Sequence, residues 1–281
     1  MGRLWAKTKL AGMAEADGEA GLLGPDDPAP FRWVNRSVRA DMLIVCDHAS
    51  KAVPAALGGL GLAPAALDRH IGWDQGAGAG AEHLARHFDA PAILAGYSRL
   101  AIDLNRYPDD PASILDHSDG TPIPGNRGLG ADAARARRRA LFDPYHREIA
   151  AALDRALARG LVPVVVSVHS FTPELGETRR AQLVCVCWRD DQRLSRPVLA
   201  HLRAAGLDPG DNLPFNLDPG EDYTMIVHAL ERGLPHLMVE LSHDEIGAAD
   251  GGAGAARWAG VLAAALEAAL ETGDIRHIRR N

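Results

Sequence analysis

Short apolar runs alternate along the chain with longer segments in which apolar residues recur every three or four positions. A short continuous apolar run is typical of a strand buried on both faces, and a period near 3.6 is typical of an amphipathic helix. These patterns predict strands over residues 42–46, 91–95, 97–103, 163–168, 182–188 and 235–241. They predict helices over residues 75–88, 131–159, 192–205, 222–232 and 252–272. Alternation of this kind favours a layered α/β domain.

The N-terminal region lacks these periodic patterns and contains a Gly-Pro-Asp-Asp-Pro turn signal at residues 24–28. We therefore predict an irregular arm over residues 1–38 and a single α/β domain over residues 39–281. Two further irregular segments, 107–130 and 208–222, interrupt the domain. Loops of this length in compact domains usually form lids or binding surfaces.

The charge balance is acidic, because 30 Lys and Arg residues stand against 37 Asp and Glu residues, for a formal net charge of -7. Proteins that bind nucleic acid without sequence preference normally carry a basic surface, so we expect a small-molecule partner and no nucleic acid. No apolar run reaches the roughly 18 residues that a membrane span needs, and no apolar leader follows the basic N-terminus. We expect no membrane partner.

The three cysteines, Cys46, Cys185 and Cys187, all lie in apolar runs that predict strands. Their odd number and their spacing do not indicate a disulfide framework or a zinc knuckle. We expect a reducing compartment and a cytoplasmic location.

Chemically capable side chains follow three of the predicted buried strands. His48 ends the first run, His169 ends the run at residues 163–168, and Glu240 lies close to the end of the last run. In open α/β sheets the carboxyl ends of the strands face the ligand crevice, so these side chains are expected to converge on one site.

Two imidazoles and one carboxylate form a common ligand set for catalytic zinc, which keeps a fourth position for water. His48 and His169 supply the imidazoles, and Asp74 is the first candidate for the carboxylate. Asp74 precedes a predicted helix and could instead be its N-cap. Asp47 is the competing ligand, or it orients a metal-binding imidazole. Glu240 is a candidate proton carrier, with a strand-end ion pair as the alternative.

The run from Ser98 to Tyr107 ends in Asn105 and Arg106. A guanidinium group offers a planar fork that matches a carboxylate, so Arg106 is a candidate anchor for an acidic substrate. The alternative is an ordinary salt bridge to Asp103 or Asp109. Two more residues complete the candidate substrate-binding set: Arg99 from the same run, and His228 from the helix predicted after residues 208–222.

Other signals are weaker. Residues 76–81 spell the letters of a dinucleotide-binding fingerprint, but no strand is predicted directly before them. Six other histidines are expected to be surface or helix-capping residues: His70, His83, His87, His146, His201 and His277.

Five segments taken together resemble the N-formylglutamate amidohydrolase family. They are residues 46–50, 73–77, 103–106, 168–173 and 239–241, and the resemblance extends over roughly residues 40 to 250. It implies a zinc-dependent hydrolase with a three-layer α/β/α sandwich and a mostly parallel mixed central sheet, similar to the zinc carboxypeptidases.

Residue by residue, the resemblance implies that His48, Asp74 and His169 bind one zinc ion per chain. It implies that Glu240 is the general base and that Asn105 with Arg106 holds a substrate carboxylate. The expected reaction converts N-formyl-L-glutamate to formate and L-glutamate. The alternatives are hydrolysis of another N-acyl amino acid or small peptide, a binding module without turnover, and a dinucleotide-dependent enzyme suggested only by the glycines.

Overall fold

The computed structural model describes residues 21–36, 41–175, 178–247, 252–271, 273 and 275–279. The strands within them are β1 (Phe31–Val34), β2 (Met42–Cys46), β3 (Ala92–Ala95), β4 (His117–Ser118), β5 (Thr121–Pro122), β6 (Val164–Phe171), β7 (Glu174–Leu175), β8 (Thr178–Arg179), β9 (Val184–Cys187), β10 (Gly210–Asp211) and β11 (His236–Ser242).

The described α-helices are α1 (Pro64–Leu67), α2 (Ala77–His87), α3 (Ala131–Arg137), α4 (Asp143–Ala158), α5 (Ser195–Ala204), α6 (Tyr223–Met225), α7 (His243–Ile246) and α8 (Ala253–Glu271). Two π-helical turns extend this set, because Arg138–Phe142 joins α3 to α4 and Ile226–Leu230 continues α6. Short 3-10 turns lie at Ala55–Gly61, Pro111–Ser113 and Pro124–Asn126.

Seven strands form one mixed sheet in the order β1-β3-β2-β6-β11-β9-β10. The four central strands, β3, β2, β6 and β11, run parallel to one another. β1 pairs antiparallel with β3, and β9 pairs antiparallel with β11. All four central strands therefore end at the same edge of the sheet, which is the edge that carries ligands in open α/β folds.

Helices cover both faces of this sheet. Ile44 of β2 packs in an apolar cluster with helices α2, α5 and α8, whereas the next residue, Val45, packs in a second cluster with α4. Successive strand residues point to opposite faces, so a strand buried on both sides reads as a continuous apolar run. The predicted three-layer α/β/α sandwich with a mostly parallel mixed sheet is confirmed.

Two predicted elements differ from the structure. Residues 97–103 were predicted as a strand, but Ala101 donates its N–H to the carbonyl of Ser98 at 3.0 Å and the segment is a turn. Its apolar residues are buried, Leu100 in a satellite cluster and Ala101 and Ile102 in the same cluster as Val45, so burial here has a cause other than strand pairing. The expected irregular arm contains β1, which forms the sheet edge, while residues 1–20 and 37–38 lie outside the described residues.

Helix α8 meets the length and composition of a membrane-crossing helix, with a mean hydropathy of 1.2, which the sequence prediction did not anticipate. It is the one such helix in the described part of the chain. Trp258, Leu262 and Leu266 are buried in the core, where α8 packs against α2 and α5. Its apolar character is explained by its place as a core helix.

Gly76 is the N-cap residue of α2 and has a left-handed φ of 80°. A Cβ atom at this position would lie 1.9 Å from the carbonyl oxygen of Ile246, at the end of α7. Within α2, a Cβ atom on Gly78 would lie 3.2 Å from the Ala49 side chain. The glycine-rich start of the helix therefore reflects close packing around the loop that carries His48.

We expect Gly76→Ala to lower the free energy of unfolding by more than about 3 kcal/mol, because a left-handed conformation and a backbone clash add together. Gly128→Ala is the matched control, since Gly128 has a φ of 62° but open space around it. It should cost only about 1 kcal/mol. Urea unfolding followed by circular dichroism measures both, and equal losses would show that the contact with Ile246 is unimportant.

Candidate active site

The carboxyl ends of the central strands open into a cavity of about 410 Å³. Seven of the eight candidate site residues line it: His48, Asp74, Arg99, Asn105, Arg106, His169 and Glu240. Each of the four central strands is followed by, or contains, at least one of these residues. The parallel core of the sheet thus brings together segments that are far apart in sequence.

The side chain of Asp74 lies between the two imidazoles. Its Oδ2 atom is 3.3 Å from Nδ1 of His48 and 2.9 Å from Nδ1 of His169. One ligand atom from each residue lies within 4.8 Å of the others, and all three side chains are buried. Metal–ligand bonds of about 2 Å require donor atoms at such separations, so this group has the geometry of a candidate metal site.

The backbone around Asp74 fixes its carboxylate in this place. Its N–H donates to the carbonyl of His48 at 3.0 Å, and the N–H of Ser170 donates to Oδ2 at 3.2 Å. Helix α2 begins three residues later, and no side chain caps it. The N-cap interpretation of Asp74 is therefore wrong.

The outer nitrogen of each imidazole faces another carboxylate. Nε2 of His48 lies 2.7 Å from Oδ1 of Asp103, and Nε2 of His169 lies 3.1 Å from Oδ2 of Asp47. Since a carboxylate only accepts hydrogen bonds, each charged ring donates from Nε2 to its outer carboxylate and from Nδ1 to Asp74. Loss of the Nδ1 proton would leave a lone pair at that position, where a metal ion could bind. Carboxylates commonly orient metal-binding histidines in this way.

Asp47 is held in place by residues of helices α4 and α6. Its Oδ1 atom accepts hydrogen bonds from the hydroxyl groups of Tyr145 and Thr224, each at 2.8 Å. Asp47 therefore lies behind His169 and does not join the His48–Asp74–His169 group. Of the two roles considered for it, orientation of an imidazole matches its contacts, although that imidazole belongs to His169 and not to its sequence neighbour.

The electrostatics of this cluster favour ionised groups. Burial alone would raise the pKa of Asp74, but the charge of His48 and hydrogen bonds from both imidazoles lower it. Burial likewise opposes ionisation of His169, yet its contacts with Asp47 and Asp74 raise its pKa well above the ordinary value. Without a metal, positive charge on the imidazoles balances the carboxylates, so a cation could replace those protons.

Glu240 lies on β11 beside His169 on β6, because the two residues are register partners in the parallel ladder. Its side chain is half-buried and lines the cavity. Burial raises the pKa of Glu240 to about 7, and the charge of Asp74 adds to this effect while the imidazoles oppose it. A carboxylate of this kind is suited to proton transfer near neutral pH.

Arg99 is held inside the cluster. Its Nη2 atom donates to Oδ2 of Asp103 at 2.6 Å, and its Nη1 atom lies 3.7 Å from Oδ1 of Asp74. The same Asp103 carboxylate accepts the backbone N–H of Asn105 at 2.9 Å through its other oxygen. One aspartate therefore connects an imidazole, a guanidinium group and the start of the Asn105–Arg106 segment.

Asn105 and Arg106 contact the loop that follows residue 208. The Asn105 amide donates to Oδ1 of Asp222 at 2.8 Å and accepts the N–H of Thr224 at 3.0 Å. Arg106 lies 3.6 Å from a carboxylate oxygen of Glu221 and 3.8 Å from Asp222. These two carboxylates are distant from Arg106 in the sequence, and neither was among the partners considered from the sequence, Asp103 and Asp109.

His228 does not line the cavity, which differs from its predicted place beside a substrate. It is buried and stacked on His146, with 3.0 Å between its Nε2 atom and Nδ1 of His146. His146, expected at the surface, is itself buried, and its Nε2 atom lies 2.8 Å from the carbonyl of Leu104. The π-helical turn that follows α6 directs His228 toward α4 and away from the strand ends.

The sequence did not predict several residues that hold the candidate site residues in position or line the cavity beside them. Asp103 stood in a segment predicted as a strand, while Tyr145 and Thr224 are ordinary helix residues in the sequence. Arg180 and Phe215 also line the cavity, but no spacing or motif marks them. Their positions depend on how loops fold back over the sheet edge.

The burial of His146 leads us to predict that the protein loses stability in acid. Burial lowers its pKa to about 4 from an ordinary 6.5, so the unfolded chain binds a proton more readily between these values. The free energy of unfolding should therefore fall as the pH falls from about 6.5 to 4, by up to roughly 3 kcal/mol from this group. Urea unfolding in the presence of a chelator measures it.

In His146→Gln, whose amide can still donate to Leu104, we expect a shallower pH dependence over this window. His117→Gln is the control, because His117 is exposed. Identical pH profiles for wild type and His146→Gln would contradict this assignment.

Comparison with known proteins identifies the family. The sequence profile of the N-formylglutamate amidohydrolase family matches residues 40–247. The solved structure of the gene product Atu2144 from Agrobacterium tumefaciens is similar to this chain, with 32% identity and a TM-score of 0.85, over 89% of this chain and 98% of that one. No curated protein matched the sequence.

A second solved structure, the N-formylglutamate amidohydrolase from Ralstonia eutropha JMP134, has 21% identity and a TM-score of 0.66, over 86% of this chain and 98% of that one. It shares the fold. The profile match spans most of the described chain and includes the candidate residues from His48 to Glu240. The chain belongs to the N-formylglutamate amidohydrolase family and is a hydrolase of the amidohydrolase type.

Proposed function

We propose that this protein is a zinc-dependent amidohydrolase that cleaves the amide of an N-acyl amino acid, with N-formyl-L-glutamate as the substrate and formate and L-glutamate as the products. Family membership supports the reaction class. The observation that carries the metal proposal is the convergence of His48, Asp74 and His169 on one point. We also propose that residues 39–281 form the catalytic domain and, from the three free cysteines, a cytoplasmic location.

The donor set fits zinc. Two imidazole nitrogens and one carboxylate oxygen leave a fourth tetrahedral position open, as catalytic zinc sites do. The buried carboxylates of Asp47, Asp74 and Asp103 carry more negative charge than the one permanent positive charge nearby, on Arg99, can balance. A divalent cation would therefore improve the charge balance. When bound, zinc supplies Lewis acidity that polarises the scissile carbonyl and lowers the pKa of a water molecule.

The protein's own residues would supply the remaining chemistry. Glu240 accepts a proton from the attacking water and passes it to the departing amine nitrogen. Arg106 binds the substrate carboxylate and so orients the amide toward Glu240. Asn105 holds Arg106 in position through its contacts with the loop at Asp222.

Substitution of the proposed ligands should remove the metal. We expect His48→Ala, Asp74→Ala and His169→Ala each to bind less than about a tenth of one zinc per chain and to lose hydrolysis. Asp47→Ala should keep zinc but bind it about 10- to 100-fold more weakly, because it orients His169 without touching the metal. Metal analysis after dialysis and a zinc titration with a competing chelator measure these quantities.

The reverse order of the two aspartates would show that Asp47 is the ligand. Zinc content that stays at one per chain in all three ligand variants would overturn the metal proposal.

Glu240→Gln should separate metal binding from catalysis. It removes the proton acceptor but keeps the shape of the side chain, so we expect normal zinc content and a kcat lowered by roughly 10²- to 10⁴-fold. Glu267→Gln makes the same chemical change at an exposed position and should leave kcat unchanged. A Glu240→Gln enzyme with full activity would remove Glu240 from the mechanism.

The alternatives differ in what the wild type turns over. Activity confined to other N-acyl amino acids or to dipeptides would replace the formyl substrate, and binding without turnover of any of them would indicate a binding module. Binding of NAD would revive the dinucleotide interpretation, although the glycines around Gly76 already have a packing explanation.

A further inference from the structure

Three sulfur-containing side chains lie on one face of the sheet, behind the wall of the cavity. Cys185 and Cys187 are alternate residues of β9, so both side chains leave the sheet on the same face. Met238 of β11 is the register partner of Cys187 in the antiparallel pair, and the Cβ atoms of such partners are about 5 Å apart on a shared face. All three residues belong to the apolar cluster that includes Val45. The spacing of the cysteines in the sequence could not reveal this third sulfur.

The two thiol groups are close enough to bind one metal ion together. The Sγ atoms of Cys185 and Cys187 are 3.5 Å apart, and both cysteines are free and fully buried. Two metal–sulfur bonds of about 2.3 Å place their sulfur atoms about 3.5 to 4.6 Å apart as the angle between the bonds widens from about 100° to 180°. The observed separation lies at the short end of this range, so two bonds to a single ion need little movement of the strand.

A backbone carbonyl completes a triangle of donor atoms. The carbonyl oxygen of Phe215 accepts a hydrogen bond from the thiol of Cys185 at 3.4 Å and from that of Cys187 at 3.3 Å. The three atoms are therefore almost equally spaced, as donor atoms around one small cation are. The Phe215 ring lies 4.8 Å from the guanidinium carbon of Arg180 and 5.6 Å from the ring of Phe171. These contacts hold the Phe215 carbonyl in place over the two sulfurs.

The chemistry of these donors favours a soft metal ion. Thiolate and thioether sulfurs together select Cu(I), whereas zinc in proteins is bound by thiolate, imidazole and carboxylate, and a thioether is not among its usual ligands. The His48–Asp74–His169 group offers nitrogen and oxygen donors instead. It is also a separate place in the fold, because His169 and Cys185 lie on opposite sides of Glu240, two strands or about 10 Å apart.

The segment that covers the sulfur atoms is thin. Its residues Leu213, Pro214 and Asn216 are exposed, and the Phe215 carbonyl between them contacts both thiols. Met238 also lines the cavity on its other side. A small ion therefore has a short path to the sulfurs, through one layer of chain, and the core does not have to open.

We propose that Cys185, Cys187 and Met238 bind one Cu(I) ion per chain, with the carbonyl oxygen of Phe215 as a neighbouring donor. Two copper–sulfur bonds replace the two S–H bonds, both protons leave to solvent, and neither copper nor sulfur changes oxidation state. The ordinary alternative is a pair of core cysteines that pack as small apolar side chains. This inference does not depend on the proposed hydrolase function, because it concerns different residues and a different metal ion.

The test is an anaerobic titration of the zinc-treated protein with Cu(I) in competition with a coloured Cu(I) chelator. The wild type should take up one Cu(I) per chain. Cys185→Ala and Cys187→Ala should each weaken binding at least about 100-fold, and Met238→Leu about tenfold, because each removes a sulfur ligand. Cys46→Ala and Met42→Leu are the matched controls, since both residues are buried on the opposite face of the sheet. Each control should change the Cu(I) affinity by less than about threefold.

X-ray absorption at the copper edge identifies the atoms around the ion, and we expect sulfur neighbours in the wild type. Nitrogen neighbours alone, no uptake of Cu(I), or equal affinity in the wild type and both cysteine variants would overturn the inference. Excess Zn²⁺ should leave the copper in place, and its displacement by zinc would reject the assignment to Cu(I). Circular dichroism checks the fold of each variant, and Cys185→Ser and Cys187→Ser, which keep the side-chain size, replace any alanine variant that does not fold.

Discussion

The arrangement of the site depends on one buried carboxylate. Asp74 lies 2.9 Å and 3.3 Å from the inner nitrogens of two histidines that come from different strands. Burying three charged or chargeable groups together is favourable only because each compensates the others. The remaining contacts of the cluster, from Asp103 to His48 and from Asp47 to His169, keep the rings turned toward Asp74. The cavity, the general-base candidate and the arginines are arranged around this point.

The parallel sheet brings together residues that are far apart in the sequence. Because β2, β6 and β11 are neighbours with one polarity, His48, His169 and Glu240 reach the same edge, and the β6–β11 register sets Glu240 directly beside His169. Two long connections then complete the cavity, one carrying Arg99 to Arg106 and one carrying Phe215 to Asp222. The His48–Asp74–His169 group is built at strand ends and nearby turns, whereas much of the cavity wall is built on loops.

This division explains how much of the molecule could be predicted from the sequence. Apolar runs mark the central strands, and a histidine or glutamate at the end of such a run is visible without a structure. The turn at residues 98–103 was misread because its buried residues Leu100, Ala101 and Ile102 imitate the apolar pattern of a strand. His228 was misplaced because periodicity does not reveal which way a π-helical turn rotates a side chain. Arg180 has no local signature, since its place in the cavity wall depends on packing against Phe215 from another loop.

The anchoring of Asp47 ties the site to folding itself. This one carboxylate receives hydrogen bonds from Tyr145 on α4 and Thr224 on α6 while it faces His169 on β6. In a chain whose helices have not yet packed on the sheet, Asp47 is not held in place and cannot orient His169. An incompletely folded protein would therefore have a low affinity for a metal ion. A cation bound at this site would raise the free energy of unfolding, because it would bind the native state and not the unfolded chain.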